Sequence, residues 1–265
     1  MAAGQTERAA AFSALHEGPP FLIPNPWDAG SAKVLAGLGY EALATTSSGF
    51  AFTLGRADGE VTLDEVCRHI DALDAAVEVP ISADLENGFG PEPEDAARAI
   101  SRAAEAGAVG GSIEDWDTTG GIYELEQAVE RVRAAREAAD RLDFAFTLTA
   151  RAENHVRGNP DLEDTIARLR AYESAGADVL FAPGLATVEE IESICGALSK
   201  PVNVLARPSL TFEEIAAAGA QRVSVGGALS WIAMGALAEA AGAIRESSDL
   251  SALRSGFKPG DYLDS

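Results

Sequence analysis

The sequence predicts an α/β fold, a closed eight-stranded (β/α)8 barrel of TIM type, on three observations. Eight short apolar runs alternate with amphipathic stretches, the pattern of parallel βα units rather than of hairpins. Glycine stands just before the next run in GLGYEAL, EAGAVGG, SAGADVL and AAGAQRV, a repeated helix-to-strand turn. The length, 265 residues, is that of one such barrel, so residues 1–265 read as a single domain. A doubly wound open sheet is the rival that the same alternation allows.

In chain order the strands are Phe21 to Pro24, Ala42 to Thr46, Val79 to Ala83, Gly111 to Glu114, Phe144 to Thr149, Asp178 to Ala182, Val202 to Leu205 and Arg222 to Val225. Each is nearly continuous in apolar or small residues, as strands covered on both faces are. Between them, Val66, Ile70, Leu73 and Val77 mark one helix face, and Val188, Ile191, Ile194 and Leu198 another. Leu125, Val129 and Val132 mark a third, whose acidic start and arginine-rich end suit the helix dipole. Thr187 and Thr211 each precede a helix with glutamate three residues on, the capping-box spacing. The last helix, LSWIAMGALAEAAGAIRES, spreads Trp231, Ile232, Met234 and Leu237 over more than one face. Residues from about 229 to 265 therefore read as a helix and tail at a subunit interface, the polar stretch Ser251 to Ser265 being loosely ordered.

Hydrophobic residues at 47% and charged residues at 23% describe a folded chain rather than a disordered one. A formal charge of −22 opposes phosphate backbones and argues against nucleic acid as a partner. No run approaches the roughly 18 apolar residues that span a bilayer, and the N-terminus lacks a basic segment followed by a long apolar core. The expectation is a cytoplasmic protein without a membrane partner. Cys67 and Cys195 lie inside helical patterns with no thiol or histidine at ligand spacing, and read as small buried residues.

Functional groups of such barrels gather at the carboxyl ends of the strands. Those ends are polar here: Thr45-Thr46-Ser47-Ser48-Gly49 after the second strand, Asp84-Leu85-Glu86-Asn87-Gly88 after the third, Glu114-Asp115 at the fourth and Arg151-Ala152-Glu153-Asn154 at the fifth. Asp84 and Glu86, two apart, share one side of an extended segment, and Glu114 ends the next strand. Three inward carboxylates repel one another, and a divalent cation relieves the cost; all-oxygen donors suit Mg²⁺ or Mn²⁺ rather than zinc. Taken singly, an acidic strand end is equally a loop carboxylate or a helix cap. Arg151 ends an apolar run, where a guanidinium is either a clamp for carboxylate or phosphate, or the ion-pair partner of Glu153 or another neighbour. Ser47-Ser48-Gly49 offers hydroxyls and backbone N–H groups, a small anion nest. SVGGAL, Ser224 to Leu229, reads as a phosphate turn or as a close helix-packing contact. No dinucleotide fingerprint occurs. Of His16, His69 and His155 only the last falls in a rim loop, with a surface role the plainer reading.

The order of NPWDAGSA (25–32), TTSSGFA after the second strand, GRADGE around Asp58, ADLENGFG (83–90), SIEDW around Glu114 and ARAENHVRG (150–158) resembles the isocitrate lyase and phosphoenolpyruvate mutase superfamily. The likeness covers nearly the whole chain. These are Mg²⁺-dependent barrels that act on 2-oxo or 2-hydroxy acids. The resemblance implies that Asp84 is the direct metal ligand, with Asp58, Glu86 and Glu114 completing the ion's surroundings mostly through water. It implies that Ser47, Ser48 and Gly49 hold the substrate carboxylate, that Trp27 lines the pocket and that Arg151 pairs with the oxo-acid end. Asp58, Glu114 and Arg151 are then the catalytic set. It implies also a homo-oligomer, dimer or tetramer, in which the C-terminal helix is exchanged between subunits.

The departures are specific. Glu86 stands where several members have Asp. The lyase branch has a Lys-Lys-Cys-Gly-His loop whose cysteine is acid or base, and this chain reads DWDTTGGIYELEQ there. The longer mutase gate with its asparagine is also missing, as is the histidine that mutases place at FAPG, Phe181 to Gly184. Gly120-Gly121 leaves a short lid. Both branches share a metal and an arginine that hold an oxo-acid while electrons enter an enolate. Decarboxylation needs that sink and a proton; aldol or Claisen cleavage also needs a base, for which Glu153, Tyr123 and Asp117 are candidates. The expected function is a Mg²⁺-dependent lyase or decarboxylase cleaving a C–C bond of a small 2-oxo or 2-hydroxy di- or tricarboxylate. A P–C bond enzyme of the phosphoenolpyruvate mutase or phosphonopyruvate hydrolase type, and a non-catalytic metabolite-binding barrel, are the alternatives.

Overall fold

Eight parallel strands form the wall that the alternation predicts, in a computed structural model that describes residues 4–248 and 250–263. They are β1 (Phe21–Ile23), β2 (Leu43–Ala44), β3 (Ile81–Asp84), β4 (Gly110–Glu114), β7 (Thr147–Arg151), β8 (Val179–Phe181), β9 (Val202–Leu205) and β10 (Arg222–Ser224). Between β4 and β7 the short strands β5 (Trp116–Asp117) and β6 (Gly121–Ile122) pair antiparallel as a rim hairpin. Neighbours run β1-β10-β9-β8-β7-β4-β3-β2. The Ala44 N–H donates to Pro24 O at 3.1 Å, which joins the two ends and excludes the open-sheet rival.

Helices cover the wall outside, and their starts follow from local chemistry. Thr62, Thr187 and Thr211 each accept from the N–H three residues on, while Glu65, Glu190 and Glu214 reach back, completing three capping boxes. The strands are shorter than the apolar runs. The run from Phe144 enters the wall only at Thr147, and β7 continues past Thr149 so that Arg151 is its last residue. Val77 lies past the helix Leu63–Asp74 and is buried all the same, packed with Leu35, Leu43 and Ile81.

The helix Gln5–Leu15, which carries no amphipathic stripe, plugs the N-terminal end of the barrel. Phe12 is fully buried with Ala9, Ile23, Ala42 and Val109. A Cβ on Gly110 would lie 2.7 Å from its ring, so glycine is what lets β4 pass over the plug.

At the opposite end of the sequence, Ala228–Ser247 forms one helix of 20 residues in which Ser230 alone is buried. Trp231, Ile232 and Leu237 are exposed. The tail is more ordered than its composition suggests: Leu250–Leu253 and Gly260–Leu263 are helical turns, and Tyr262 stacks on Phe257 and packs on Gly37. The expectation for Asp264 and Ser265 lies outside the described residues. No helix among those described is long and apolar enough to cross a membrane.

Emptying the floor tests this account of the barrel. Phe12→Ala is expected to lower the free energy of unfolding in urea by about 3–5 kcal/mol. A loss below about 1 kcal/mol would show that the plug is not part of the cooperative core.

Candidate active site

Asp84, at the end of β3, is fixed by its neighbours. Its N–H donates to Thr45 Oγ1 (2.8 Å) and its Oδ2 accepts from the Ser47 N–H (3.1 Å). Oδ1 lies 3.5 Å from Ser112 Oγ and 3.8 Å from Arg151 Nη1. The chain then turns through Glu86 (φ 48°), Gly88 (79°) and Phe89 (64°), left-handed backbone that strains all but glycine. Bonds from the Gly88 N–H to Leu85 O, the Phe89 N–H to Asn87 Oδ1 and the Glu114 N–H to Glu86 O hold that turn. It sets the Glu86 carboxyl on the cavity wall, with Oε1 buried and partnerless. Strain with an orphaned acceptor is what a ligand site leaves behind in the free protein.

Arg151 stands across the mouth from Asp84. Its Nη1 is 3.2 Å from Glu114 Oε2, its Nε donates to Glu153 Oε1, and the Phe181 ring lies 5.4 Å from the guanidinium carbon. Glu153 is wholly buried and accepts also from Arg157 Nε (2.8 Å). Arg157 in turn lies over the Trp116 ring at 4.5 Å. Asp115 ties β4 to β7 beneath them: Oδ1 accepts the Glu153 N–H (2.7 Å), and Oδ2 accepts Tyr172 OH (2.5 Å) and Arg168 Nη1 (3.1 Å).

Glu86, Glu114, Arg151 and Arg157 line a mouth cavity of about 600 Å³, which shares Ser47, Asp58 and Arg151 with a deeper space of about 190 Å³ inside the barrel, where Asp84 stands. Asp58 comes from the exposed loop after the helix Ser47–Thr53 and turns its carboxyl to Ser47. Five carboxylates (Asp58, Asp84, Glu86, Glu114 and Glu153) thus gather around Arg151 and Arg157, while Arg98 and Arg102 on the outer mouth pair with Asp95 and Asp64. Burial pushes the Glu86 carboxyl up to about 8, with Asp84 and Asp58 adding and Arg151 opposing. Burial likewise drives Glu114 well above the carboxylate range, against the pull of Arg151. For Arg151 burial works the other way, but Glu114, Glu153 and Asp84 outweigh it and keep the guanidinium charged.

Among the described residues no three His, Cys, Asp or Glu side chains form a closed metal cage. The all-oxygen donors would suit a hard ion that keeps most of its waters, for which the orphaned Glu86 oxygen is a free acceptor. They do not fit zinc, for which nitrogen or sulfur donors are absent from the cavity wall.

The other sequence candidates divide. Ser47 and Ser48 line the deeper space, but the Ser47 N–H is taken by Asp84 and the Gly49 N–H faces Thr46 Oγ1 (3.4 Å), so little of the nest is free. Gly49 is buried where a Cβ would meet Thr46, Ser230 and Trp27, a packing role. Trp27 lines an apolar groove with Val34 and Ile232 rather than the mouth, because it leads into the helix Ala29–Gly37 with its N–H bonded to Ser31 Oγ. In SVGGAL the Val225 and Gly226 N–H groups donate to Asn25 Oδ1 (2.9 and 2.8 Å), and Gly227 passes close to Trp231: a packing turn, not a phosphate turn. His155 is buried near Glu190, not on the surface, and His69 stacks on Phe50. Cys67 is buried and Cys195 half-buried, both on outer helices. Arg157 and Trp116 were not singled out from the sequence; the spacing of Arg157 four residues after Glu153 is the signal that was there.

The chain matches the family model for phosphoenolpyruvate phosphomutase over residues 12–245. It is 30% identical to 2-methylisocitrate lyase of Escherichia coli K12 over 222 residues, 78% of this chain and 73% of that one. It is 27% identical to oxaloacetate decarboxylase 1 of Pseudomonas putida W619 over 230 residues, 83% and 78% of the two chains. A crystal structure of a lyase/mutase candidate from Burkholderia cenocepacia J2315 superposes with a TM-score of 0.94 at 50% identity, covering 97% of this chain and 95% of that one. With the barrel, the motif order and these matches together, the chain belongs to the isocitrate lyase/phosphoenolpyruvate mutase superfamily.

Proposed function

We propose that the protein is a Mg²⁺-dependent lyase or decarboxylase that breaks a C–C bond of a small 2-oxo or 2-hydroxy di- or tricarboxylate. The observation that carries this reading is the excess of carboxylate over guanidinium at the mouth, arranged around Arg151. When bound, the ion supplies a Lewis acid that draws electrons toward the oxo or hydroxy oxygen. Asp84 holds it, Asp58, Glu86 and Glu114 receive its waters, and Mn²⁺ substitutes. Arg151 presents a fixed positive charge to the oxo-acid end.

The remaining residues favour a step without a free base. Glu153 is clamped between Arg151 and Arg157. Tyr123 OH and the Asn87 side-chain amide both donate to Asp117 Oδ2 (3.3 Å each), which braces the hairpin against β3. All three candidate bases are engaged, and no cysteine lines either cavity. Decarboxylation, which asks only for an electron sink and a later proton, suits this set best. The likeness to a C–C lyase and to an oxaloacetate decarboxylase supports C–C chemistry. The uncovered apolar side of Ala228–Ser247 supports a homo-oligomer, dimer or tetramer, built on that helix.

Pyruvate release from oxaloacetate, 2-methylisocitrate, 2,3-dimethylmalate and phosphonopyruvate, with and without Mg²⁺, tests the reaction class. Metal-dependent pyruvate from a carbon substrate, abolished in Asp84→Ala, is the expected result. Pyruvate from phosphonopyruvate alone, or its conversion to phosphoenolpyruvate without pyruvate, would transfer the site to P–C chemistry, and no turnover of any of the four would leave a binding barrel. Metal loading has its own signature, because a Glu86 carboxyl near 8 is protonated at pH 7 and an arriving cation favours its ionised form. Calorimetry in buffers of different ionisation enthalpy should show proton release at pH 7, affinity rising with pH up to about 8, and both effects reduced in Glu86→Gln. Proton-neutral Mg²⁺ binding at pH 7 would count against this.

A further inference from the structure

Below the ring of carboxylates the cavity continues as a shaft between the strands. Ser82, Ser112, Asn203 and Ser224 stand on its walls, and Arg222 lies at its foot. Arg222 is only 5% exposed. Its Nε donates to Asn203 Oδ1 (2.9 Å), its Nη2 to Thr149 Oγ1 (3.0 Å) and its Nη1 to His16 Nε2 (3.2 Å). His16 Nδ1 lies 2.9 Å from Phe12 O, so Nδ1 carries the proton and Nε2 is left as an acceptor.

All three partners are neutral. The chain has 42 acidic residues, yet among the described residues none forms an ion pair with this guanidinium. Arg151, two residues beyond Thr149 on β7, is surrounded by three carboxylates; Arg222 has none. Burial, opposed by nothing, pulls Arg222 down to about 9. A cation buried in this way is unfavourable until an anion joins it. Its hydrogen bonds fix where the charge sits without neutralising it, as a binding group requires.

We infer that the shaft is a subsite for a carboxylate, or an oxyanion of like size, with Arg222 as its cation and Asn203 and Ser224 as its polar wall. The inference rests on the oxo-acid reading of the mouth and sharpens it: the substrate carries a second anionic group that reaches into the barrel. Thr149 is two residues below Arg151, about 7 Å down the strand, a step that a short carbon chain spans. A carboxylate paired with a guanidinium is held against conversion to neutral CO₂, so the group in the shaft is one that the reaction leaves intact; a substrate that is decarboxylated then carries a third carboxylate to lose, and one that is cleaved between carbons needs only two. His16 is a positioning residue here, holding Arg222 from below.

The test compares two 2-oxo acids of equal chain length, 2-oxoglutarate with a second carboxylate and 2-oxovalerate without one, by calorimetry on the Mg²⁺-loaded protein. The wild type is expected to prefer 2-oxoglutarate at least tenfold. Arg222→Met should abolish the preference and leave 2-oxovalerate affinity unchanged. Arg222→Lys, which keeps the charge but not the fork, serves where the methionine variant does not fold, and its preference should fall severalfold. Inorganic phosphate distinguishes the source of the anion: competition with 2-oxoglutarate but not with 2-oxovalerate shows that the shaft also takes a free oxyanion. Equal affinity for the two acids in the wild type, or an undiminished preference in the variant that folds, overturns the subsite. Failure of both acids to bind, with phosphate binding that Arg222→Met removes, would sink the oxo-acid reading and keep the shaft.

Discussion

Around Arg151 the mouth of this barrel concentrates more negative charge than Arg151 and Arg157 offset. Asp58, Asp84, Glu86, Glu114 and Glu153 gather around Arg151 and Arg157, with Glu114 and Glu153 buried. Repulsion at such distances is relieved in one of two ways: protons stay on, or a cation arrives. Burial already keeps Glu86 and Glu114 protonated beyond the usual range in the free protein. The surrounding structure is organised to hold this arrangement: the left-handed turn at Glu86, the Asp115 brace between β4 and β7, and the Glu153 clamp.

The rim hairpin shows how the chain fills the place of a longer gate. Asp117 Oδ1 accepts from the Thr119 and Gly120 N–H groups at 2.8 and 2.7 Å, which closes the tip on itself. Its other oxygen is tied to Asn87 and Tyr123. A Cβ on Gly59 would lie 2.9 Å from Thr118, so the Asp58 loop and the hairpin already meet over the mouth. Cover is thereby supplied by short braced segments, and no acid–base cysteine comes with it.

Much of this was legible in the sequence, for definable reasons. Strands covered on both faces and glycine at helix exits are local signals, so the barrel and all eight wall strands could be read, with errors of a few residues at Phe144 and Val77 where apolar character outlasts the element. Asp84, Glu86, Glu114 and Arg151 were visible because strand ends are fixed by topology, and the structure brings them with Asp58 around two adjoining cavities. What escaped depends on contacts between distant segments. Trp27 was expected in the pocket, but the helix it precedes carries it to the outer groove. Arg222 looked like the polar start of a strand until His16, Thr149 and Asn203 met around it inside the barrel. The plug helix went unread because its buried residues, Arg8, Ala9 and Phe12, do not make an apolar stripe.

Under the proposed function the acidic excess exists to hold one divalent ion through Asp84. Electron paramagnetic resonance of Mn²⁺ titrated into the metal-free protein tests it without reference to any substrate. The account predicts one bound Mn²⁺ per chain, displaced by Mg²⁺, still extensively hydrated, and lost in Asp84→Asn. Absence of stoichiometric binding, or binding that Asp84→Asn leaves intact, would contradict it.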